Sequence, residues 1–416
     1  MTTSTQTIQK GYKQTEIGVI PADWDIKSLG DVGEVKMCRR IFNHETKEFD
    51  AIPFYKIGTF GQEADAYISQ DLYNNYRHKF SFPKKGDILI SAAGTIGRTI
   101  VYDGIPAYFQ DSNIVWIDNN EELISNGYLK YIFQIVKYNT EGGTIQRLYN
   151  SILRNTKFIC PTKPEQTAIA DALASADALI EKLEKLIEKK KNIKQGVMQE
   201  LLTGKRRLSG FSGRWETKEV GEIGKPYGGL AGKIKSDFGY GNSEYIPFMN
   251  IMSNPIIDPS YLDVVNIRPG EYQNKAQKGD LFFNGSSETP EEVGMCSVLL
   301  ADIPNLYLNS FCFGFRPNPD LKTDGLFFSY YFRSDVGRQL IFSLAQGATR
   351  YNLSKTNFLK LKVSYPKPEE QTAISIVFSD IDTEIEKLES LLTKYQNLKQ
   401  GMMQTLLTGK IRLLRS

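Results

Sequence analysis

Apolar residues recur every four and then three positions through two stretches of the chain. In the first they are Ile169, Leu173, Ala176, Ile180, Leu183 and Ile187. In the second they are Ile374, Phe378, Ile381, Ile385, Leu388, Leu392 and Tyr395. This spacing places all of them on one stripe of an α-helix, the seam along which two helices pack. The remaining positions read EKLEKLIEKKK and EIEKLESLLTKYQ, a charged face suited to water and to ion pairs one turn apart. Pro164 and Pro368 predict the helix starts, and Gly204 and Gly409 the ends. Gly196 and Gly401 fall inside the pattern, where glycine costs ~1 kcal/mol relative to alanine.

The two stretches are near-copies. EQTAI occurs at 165–169 and again at 370–374, and KQGVMQELLTGKRRL from Lys194 is matched by KQGMMQTLLTGKIRL from Lys399 at the same offset. Neither helix can bury its seam alone, so the duplication predicts that the two pack on each other. Burying about six apolar side chains per helix, at ~1.5–3 kcal/mol each, would be the gain before conformational entropy is counted.

The flanking regions repeat more weakly. WDIKSLGDVGEV from Trp24 parallels WETKEVGEIGKP from Trp215, and KKGDILIS from Lys84 parallels QKGDLFFN from Gln277. LRNTKFICP from Leu153 parallels LSKTNFLKL from Leu353. Short β-branched or aromatic runs bounded by Gly, Pro, Asn and Asp, such as GDILIS, NIVWID and CFGFRP, predict strands. A single helix is expected near Leu123–Tyr138, with a counterpart near Gly325–Leu344. The predicted fold is therefore α+β with internal pseudo-twofold symmetry. Strand-rich modules at 1–160 and 210–365 are each followed by a helical spacer, at 161–209 and 366–416. The helices diverged less than the modules, as expected if the helices share one geometrical task and each module reads something different.

Composition narrows the function. Hydrophobic residues make up 41% of the 416 positions, enough for sizeable cores. The net charge of +3 is too small to argue for nucleic acid, and acidic and basic side chains nearly balance within each module. Any phosphate-binding surface must come from local clustering. Cys38, Cys160, Cys296 and Cys312 form no C-x-x-C pair, and His44 and His78 are the sole histidines, so no zinc site is expected. No apolar run approaches the ~18–20 residues that span a bilayer, and the N-terminal residues lack an apolar signal core. A cytoplasmic protein with reduced thiols is expected.

Catalytic signatures are missing. GGLAGKI at 228–234 has the wrong spacing for a phosphate loop and Ile where Ser or Thr should hold magnesium. KPYGG at 225–229 lacks residues of the amino-methyltransferase motif it partly spells, and PDLK at 319–322 has only nuclease-like letters. No G-x-G-x-x-G opens a helix after a strand. These gaps favour a recognition or scaffold chain.

GYKQTEIGVIPADWDIKSLGDVGEV, KKGDILISAAGTIGR, PEQTAI, PEEQTAI and the doubled KQG-x-MQ-x-LLTGK together resemble the specificity subunit of type I restriction–modification systems, over essentially the whole chain. SAAGTIG fits the family pattern in the first module, whereas the second has NGSSETPEEVG. The resemblance implies two target recognition domains and two helical spacers lying antiparallel as a coiled coil. Each domain would read one half of a bipartite, asymmetric site on double-stranded DNA. The chain would recruit two methyltransferase subunits and, with them, restriction–translocase subunits. S-adenosylmethionine, ATP and magnesium would belong to those partners, leaving this chain with no cofactor, no metal and no catalytic residue.

As spacers, about 38 helical residues at 1.5 Å rise would span ~57 Å, an upper bound near 17 base pairs at ~3.4 Å each. Bases are read by Arg, Lys, Asn, Gln, Ser and Thr, and phosphates by cations and backbone amides. In the first module such groups are Arg39, Arg40, His44, Arg77, Lys79, Thr95, Arg98, Asn113, Arg147 and Tyr149. In the second they are Lys225, Tyr227, Lys233, Lys235, Asn284, Ser286, Asn309, Arg350 and Tyr351. Arg147 and Arg350 occupy similar places and suit phosphate anchoring. Arg39, Arg40, Lys233 and Lys235 lie where the modules differ and suit base readout. The rival readings are a catalytic DNA-modifying enzyme and a coiled-coil adaptor that binds no nucleic acid.

Overall fold

A computed structural model describes residues 8–138, 147–347 and 350–414. The chain divides into two compact units, Met1–Leu183 with Leu391–Ser416, and Glu184–Ser390. Each long helix thus contributes its beginning to one unit and its end to the other.

In the first unit a four-stranded antiparallel sheet runs in the order Gly33–Met37, Ile114–Asn119, Ile88–Ser91, Thr99–Val101. Its central strand reads IVWI, apolar at successive positions because both faces of the sheet are covered. Val115 and Ile117 point into a core with Trp24, Leu129, Leu153 and Phe158. Ile114 and Trp116 point into a second core with Phe54, Tyr73 and Tyr108. That second core lies under a small sheet of Tyr67–Ile68, Ile52–Tyr55 and Tyr108–Phe109, the last pair parallel. A ribbon of Asp25–Ser28 with Lys157–Cys160 closes the module and leads into the first long helix.

The second unit repeats this plan. The four-stranded order is Gly224–Gly228, Cys312–Pro317, Leu281–Asn284, Cys296–Val298. The three-stranded order is Asp263–Val265, Phe238–Ile246, Leu306–Leu308, again with the last pair parallel. The ribbon is Glu216–Glu219 with Lys362–Tyr365. The helix expected near Leu123–Tyr138 spans Asn126–Ile135, capped by Ser125. Its counterpart is two helices, Gly325–Arg333 and Asp335–Phe342, because extended Ser334 ends one and its hydroxyl caps the other at Gly337.

The long helices are Lys163–Leu201 and Pro368–Leu406, each 39 residues. Gly204 and Gly409 follow their ends in the left-handed region, at φ +69° and +71°. A Cβ on Gly409 would collide with Pro21. Nothing in the structure explains Gly196 and Gly401.

Every predicted seam residue is buried or half-buried. In the first unit these are Ile169, Leu173, Ala176, Ile180, Leu183, Leu392 and Tyr395, and in the second Ile187, Ile374, Phe378, Ile381, Ile385 and Leu388. The first two of each helix, Ile169 with Leu173 and Ile374 with Phe378, sink into the adjoining module's core. Within the second unit Lys190 pairs with Glu384 at 2.7 Å, and Lys194 pairs with Asp382. Rising numbers on one segment meet falling numbers on the other, so the two segments run antiparallel.

The residues kept identical in both helix copies include polar ones that form matched clusters. In the first unit Asp177 accepts from Tyr131 Oη at 2.8 Å and Lys130 Nζ at 3.2 Å, and pairs with Lys399 at 2.6 Å. In the second unit Asp382 accepts from Tyr330 Oη at 2.8 Å and from Lys194. Burial pushes the Asp177 carboxyl up, but its hydrogen bonds from Lys399, Tyr131 and Lys130 outweigh this and hold it below its ordinary value.

A second pair of clusters involves Arg412 and Arg207. Arg412 bridges the buried carboxylate of Glu165 and the carboxylate of Asp23, with its guanidinium 5.4 Å from the Trp24 ring. Trp24 Nε1 also donates to Glu165 at 2.7 Å. Arg207 makes the matching bidentate pair with buried Glu370, 5.8 Å from the Trp215 ring. There the indole Nε1 is buried without a hydrogen-bond partner among the described residues.

Candidate nucleic-acid interface

The loop between Tyr108–Phe109 and Ile114–Asn119 organises the first module's candidate surface. Gln110 accepts from the Ile57 amide at 2.8 Å, which fixes the loop's start. Ser112 takes φ +47°, a left-handed turn costing ~1–2 kcal/mol outside glycine, and this delivers Asn113 to the surface. Arg147 Nη2 donates to Asn113 Oδ1 at 3.1 Å, and Arg40 Nε donates to Asp111 Oδ2 at 2.9 Å. Arg40, Asn43, Lys56, Gln110, Asn113 and Arg147 line a recess of about 320 Å³. Sequence reading named Arg40, Asn113 and Arg147; the fold brings the three together.

The other candidates of this module do not line that recess. Arg39 sits 5.3 Å from the Phe80 ring, and Arg77 5.8 Å from Tyr73 and 5.5 Å from Phe82, so both guanidiniums are braced on aromatic faces. Lys79 ends the same helix, Gln70–Lys79, and is exposed. His44 stacks on Phe42, with centroids 5.9 Å apart. Thr95 is exposed and offers its carbonyl to Ser91 Oγ, while the Arg98 amide donates to the same hydroxyl at 2.9 Å. Tyr149 is exposed at the start of the short helix Asn150–Asn155.

The second module withdraws four candidates from direct readout. Asn284 is fully buried: it donates to the carbonyls of Ser286 and Glu292 and accepts from the Met295 amide at 2.6 Å, so it builds the loop. Ser286 is buried in a strand pairing with Asn352. The Lys233 side chain is 4% exposed, donating to Glu271 and the Asn266 carbonyl, each at 2.6 Å. That ammonium, the backbone amide of Arg268 and the Gln273 amide lower the Glu271 carboxyl to about 2. Tyr227 donates to buried Asp280 at 2.6 Å beneath Arg316, and burial raises its phenol. A buried, fully bonded side chain cannot also meet a base edge without losing those bonds.

The remaining candidates are accessible. Lys225 and Lys235 are exposed. Asn309 is half-buried and turns its Oδ1 to the Phe311 amide at 2.8 Å. Tyr351 is half-buried in Tyr351–Leu353. Arg350 is exposed, its guanidinium 5.6 Å from the exposed Phe311 ring. Arg147 and Arg350 are not in strict register. Matching Leu148 with Leu353 pairs Arg147 with Asn352, and Arg350 lies two residues earlier, on the same side of an extended strand. The Gly-rich turn beside Arg147 lies outside the described residues.

Residues 21–195 and 213–394 each match the family model described as type I restriction modification DNA specificity domain. The chain belongs to this family. It carries two specificity domains and is a DNA-recognition subunit of type I restriction–modification. A putative type I restriction enzyme specificity subunit of Methanocaldococcus jannaschii is 27% identical over 444 aligned residues, covering 97% of each chain. Another, of Haemophilus influenzae, is 56% identical over 152 residues, spanning 36% of this chain and 40% of that one. A crystal structure of the type I S subunit from M. genitalium superposes with a TM-score of 0.56 at 14% identity, covering 97% of this chain and 98% of that one, a likeness of fold. Among the described residues of this specificity subunit, no helix is long and apolar enough to cross a membrane.

Sequence reading of the two specificity domains missed Phe311 and Lys56, and it missed the Asp177 and Asp382 clusters. The signal for the clusters was present, since Asp177 and Asp382 match within diverged surroundings.

Proposed function

We propose that each specificity domain reads one half of a bipartite, asymmetric site on double-stranded DNA, and that the length of the helical spacers sets how many base pairs go unread. One observation carries this reading. The same loop recurs in both domains with unlike linings, Asn113 beside Arg147 in one and Phe311 beneath Arg350 in the other. A shared frame with different contents suits two readers of different sequence, with the arginines placed for phosphates and the loop residues for base edges. The chain would deliver methyltransferase subunits, and through them restriction–translocase subunits, to that site. Methyl transfer from S-adenosylmethionine and ATP- and magnesium-dependent steps would be theirs, in the cytoplasm.

Mapping methyladenine genome-wide in cells expressing this chain with its methyltransferase partner tests the proposal. A split motif with two unlike halves is expected. Inserting one helical turn within Ile180–Lys190, with a matching turn in the second helix, should change the gap and keep both halves. A contiguous motif, or an unchanged gap, would reject the reading. A purified chain giving no salt-sensitive gel shift on mixed duplexes would favour the adaptor instead.

A further inference from the structure

Phe311 holds, in the second domain, the place that Asn113 holds in the first. Backbone bonds fix the equivalence. The Asn113 carbonyl accepts from Ala92 at 2.7 Å, and the Ala92 carbonyl from Leu148 at 2.8 Å. The Phe311 carbonyl accepts from Gly285 at 2.9 Å, and the Gly285 carbonyl from Leu353 at 3.0 Å. An amide that donates and accepts is thereby replaced by a ring that does neither.

The ring is not part of a core. Phe311 is 57% exposed. Its presentation is nevertheless rigid. Asn309 ties the turn by accepting from the Phe311 amide with its side chain, and from the Cys312 amide with its carbonyl at 3.1 Å. Gly229 lies so close behind the turn that a Cβ there would collide with the Asn309 carbonyl. Arg350 covers one side of the ring. Leaving a phenyl ring in water gains nothing for the fold, while holding it still beside a cation lowers the entropy lost when it meets a ligand.

We propose that Phe311 reads a thymine of the second half-site through its C5-methyl group, with Arg350 held for the adjacent phosphate. This rests on the reading of the domains as DNA readers. Apolar side chains discriminate bases in the major groove by contact with that methyl, which no other base carries there. The two domains then differ in kind: hydrogen-bonding readout around Asn113, apolar readout at Phe311.

Uracil lacks only the thymine methyl, which makes the test specific. Duplexes selected by the full-length chain from a randomised pool would be resynthesised with deoxyuridine replacing thymine in the second half alone. Wild-type affinity should fall about four-fold, the factor for losing one buried methyl-sized group. Phe311→Ala should bind thymine and uracil duplexes alike, while Arg40→Ala keeps the wild-type ratio. Circular dichroism and thermal unfolding would check that Phe311→Ala folds, as its exposure implies. Equal wild-type affinity for both duplexes, or an unchanged ratio in Phe311→Ala, overturns the proposal and leaves DNA reading intact. Failure of the wild-type chain to select any sequence overturns the reading beneath it.

Discussion

Replacing Arg412 by alanine should destabilise the first unit although the residue is not one of the candidate DNA contacts. Its guanidinium donates to both oxygens of Glu165 and to both oxygens of Asp23. The Glu165 side chain is 2% exposed, whereas Asp23 is 42% exposed and can be rehydrated. Removing one partner of a buried pair typically costs ~3–5 kcal/mol, because the other charge stays buried. Trp24 Nε1 still serves one Glu165 oxygen, and the Arg412 side chain is 20% exposed, so water reaches the site. These two facts lower the expectation to about 2–4 kcal/mol, or roughly 4–16 °C in Tm for a unit of this size. Denaturant unfolding of the full chain, followed by Trp emission, would measure it. Glu165→Gln combined with Arg412→Ala should cost less than the two changes added, by about 1–3 kcal/mol. A loss under ~0.5 kcal/mol, or strict additivity, would refute the argument that Glu165 depends on this partner.

Two further outcomes follow from the buried polar groups. The Asp177 carboxyl is lower in the folded chain than its ordinary 3.8, so its stabilisation is full above that value and fades as pH falls through the folded pKa. Asp177→Asn should therefore narrow the gap to wild type below about pH 4, in acid unfolding curves, with the larger deficit at neutral pH. Asn284→Ala should cost ~3 kcal/mol by stranding two carbonyls and an amide, while methylation mapping shows both half-sites unchanged. An altered half-site with normal stability would return Asn284 to the readers.

The periodic seam and the doubled modules were legible because each repeats a local rule. The strand at 114–119 shows its two-sided burial in four letters. What the sequence concealed depends on distant partners. Nothing near Lys233 announces that Glu271 will bury it, and nothing near Tyr227 announces Asp280. Asn284 looked like a surface amide because its loop's backbone groups, which it serves, follow it in a turn. The helix at Gly325–Leu344 read as one because Ser334 can continue a helix, and its backbone conformation is set by the tertiary fold. The periodicity of Ile169 and Ile374 predicts helix pairing, yet it marks only that a face is buried, not what covers it.

The first unit is assembled from two stretches of the chain separated by the whole of Glu184–Ser390, with Leu406 and Leu407 completing the core that Ile20 and Trp24 begin. A ribosome delivers those leucines long after Ile20 and Trp24. At about 5–20 residues per second, the nascent N-terminal domain waits roughly 10–40 s for Glu184–Ser390 to be translated. During that interval its core lacks Leu406 and Leu407, whereas among the described residues the cores of Glu184–Ser390 draw on none beyond that segment. The interior segment can therefore complete its core before the module that precedes it, and chaperone demand falls on that earlier module.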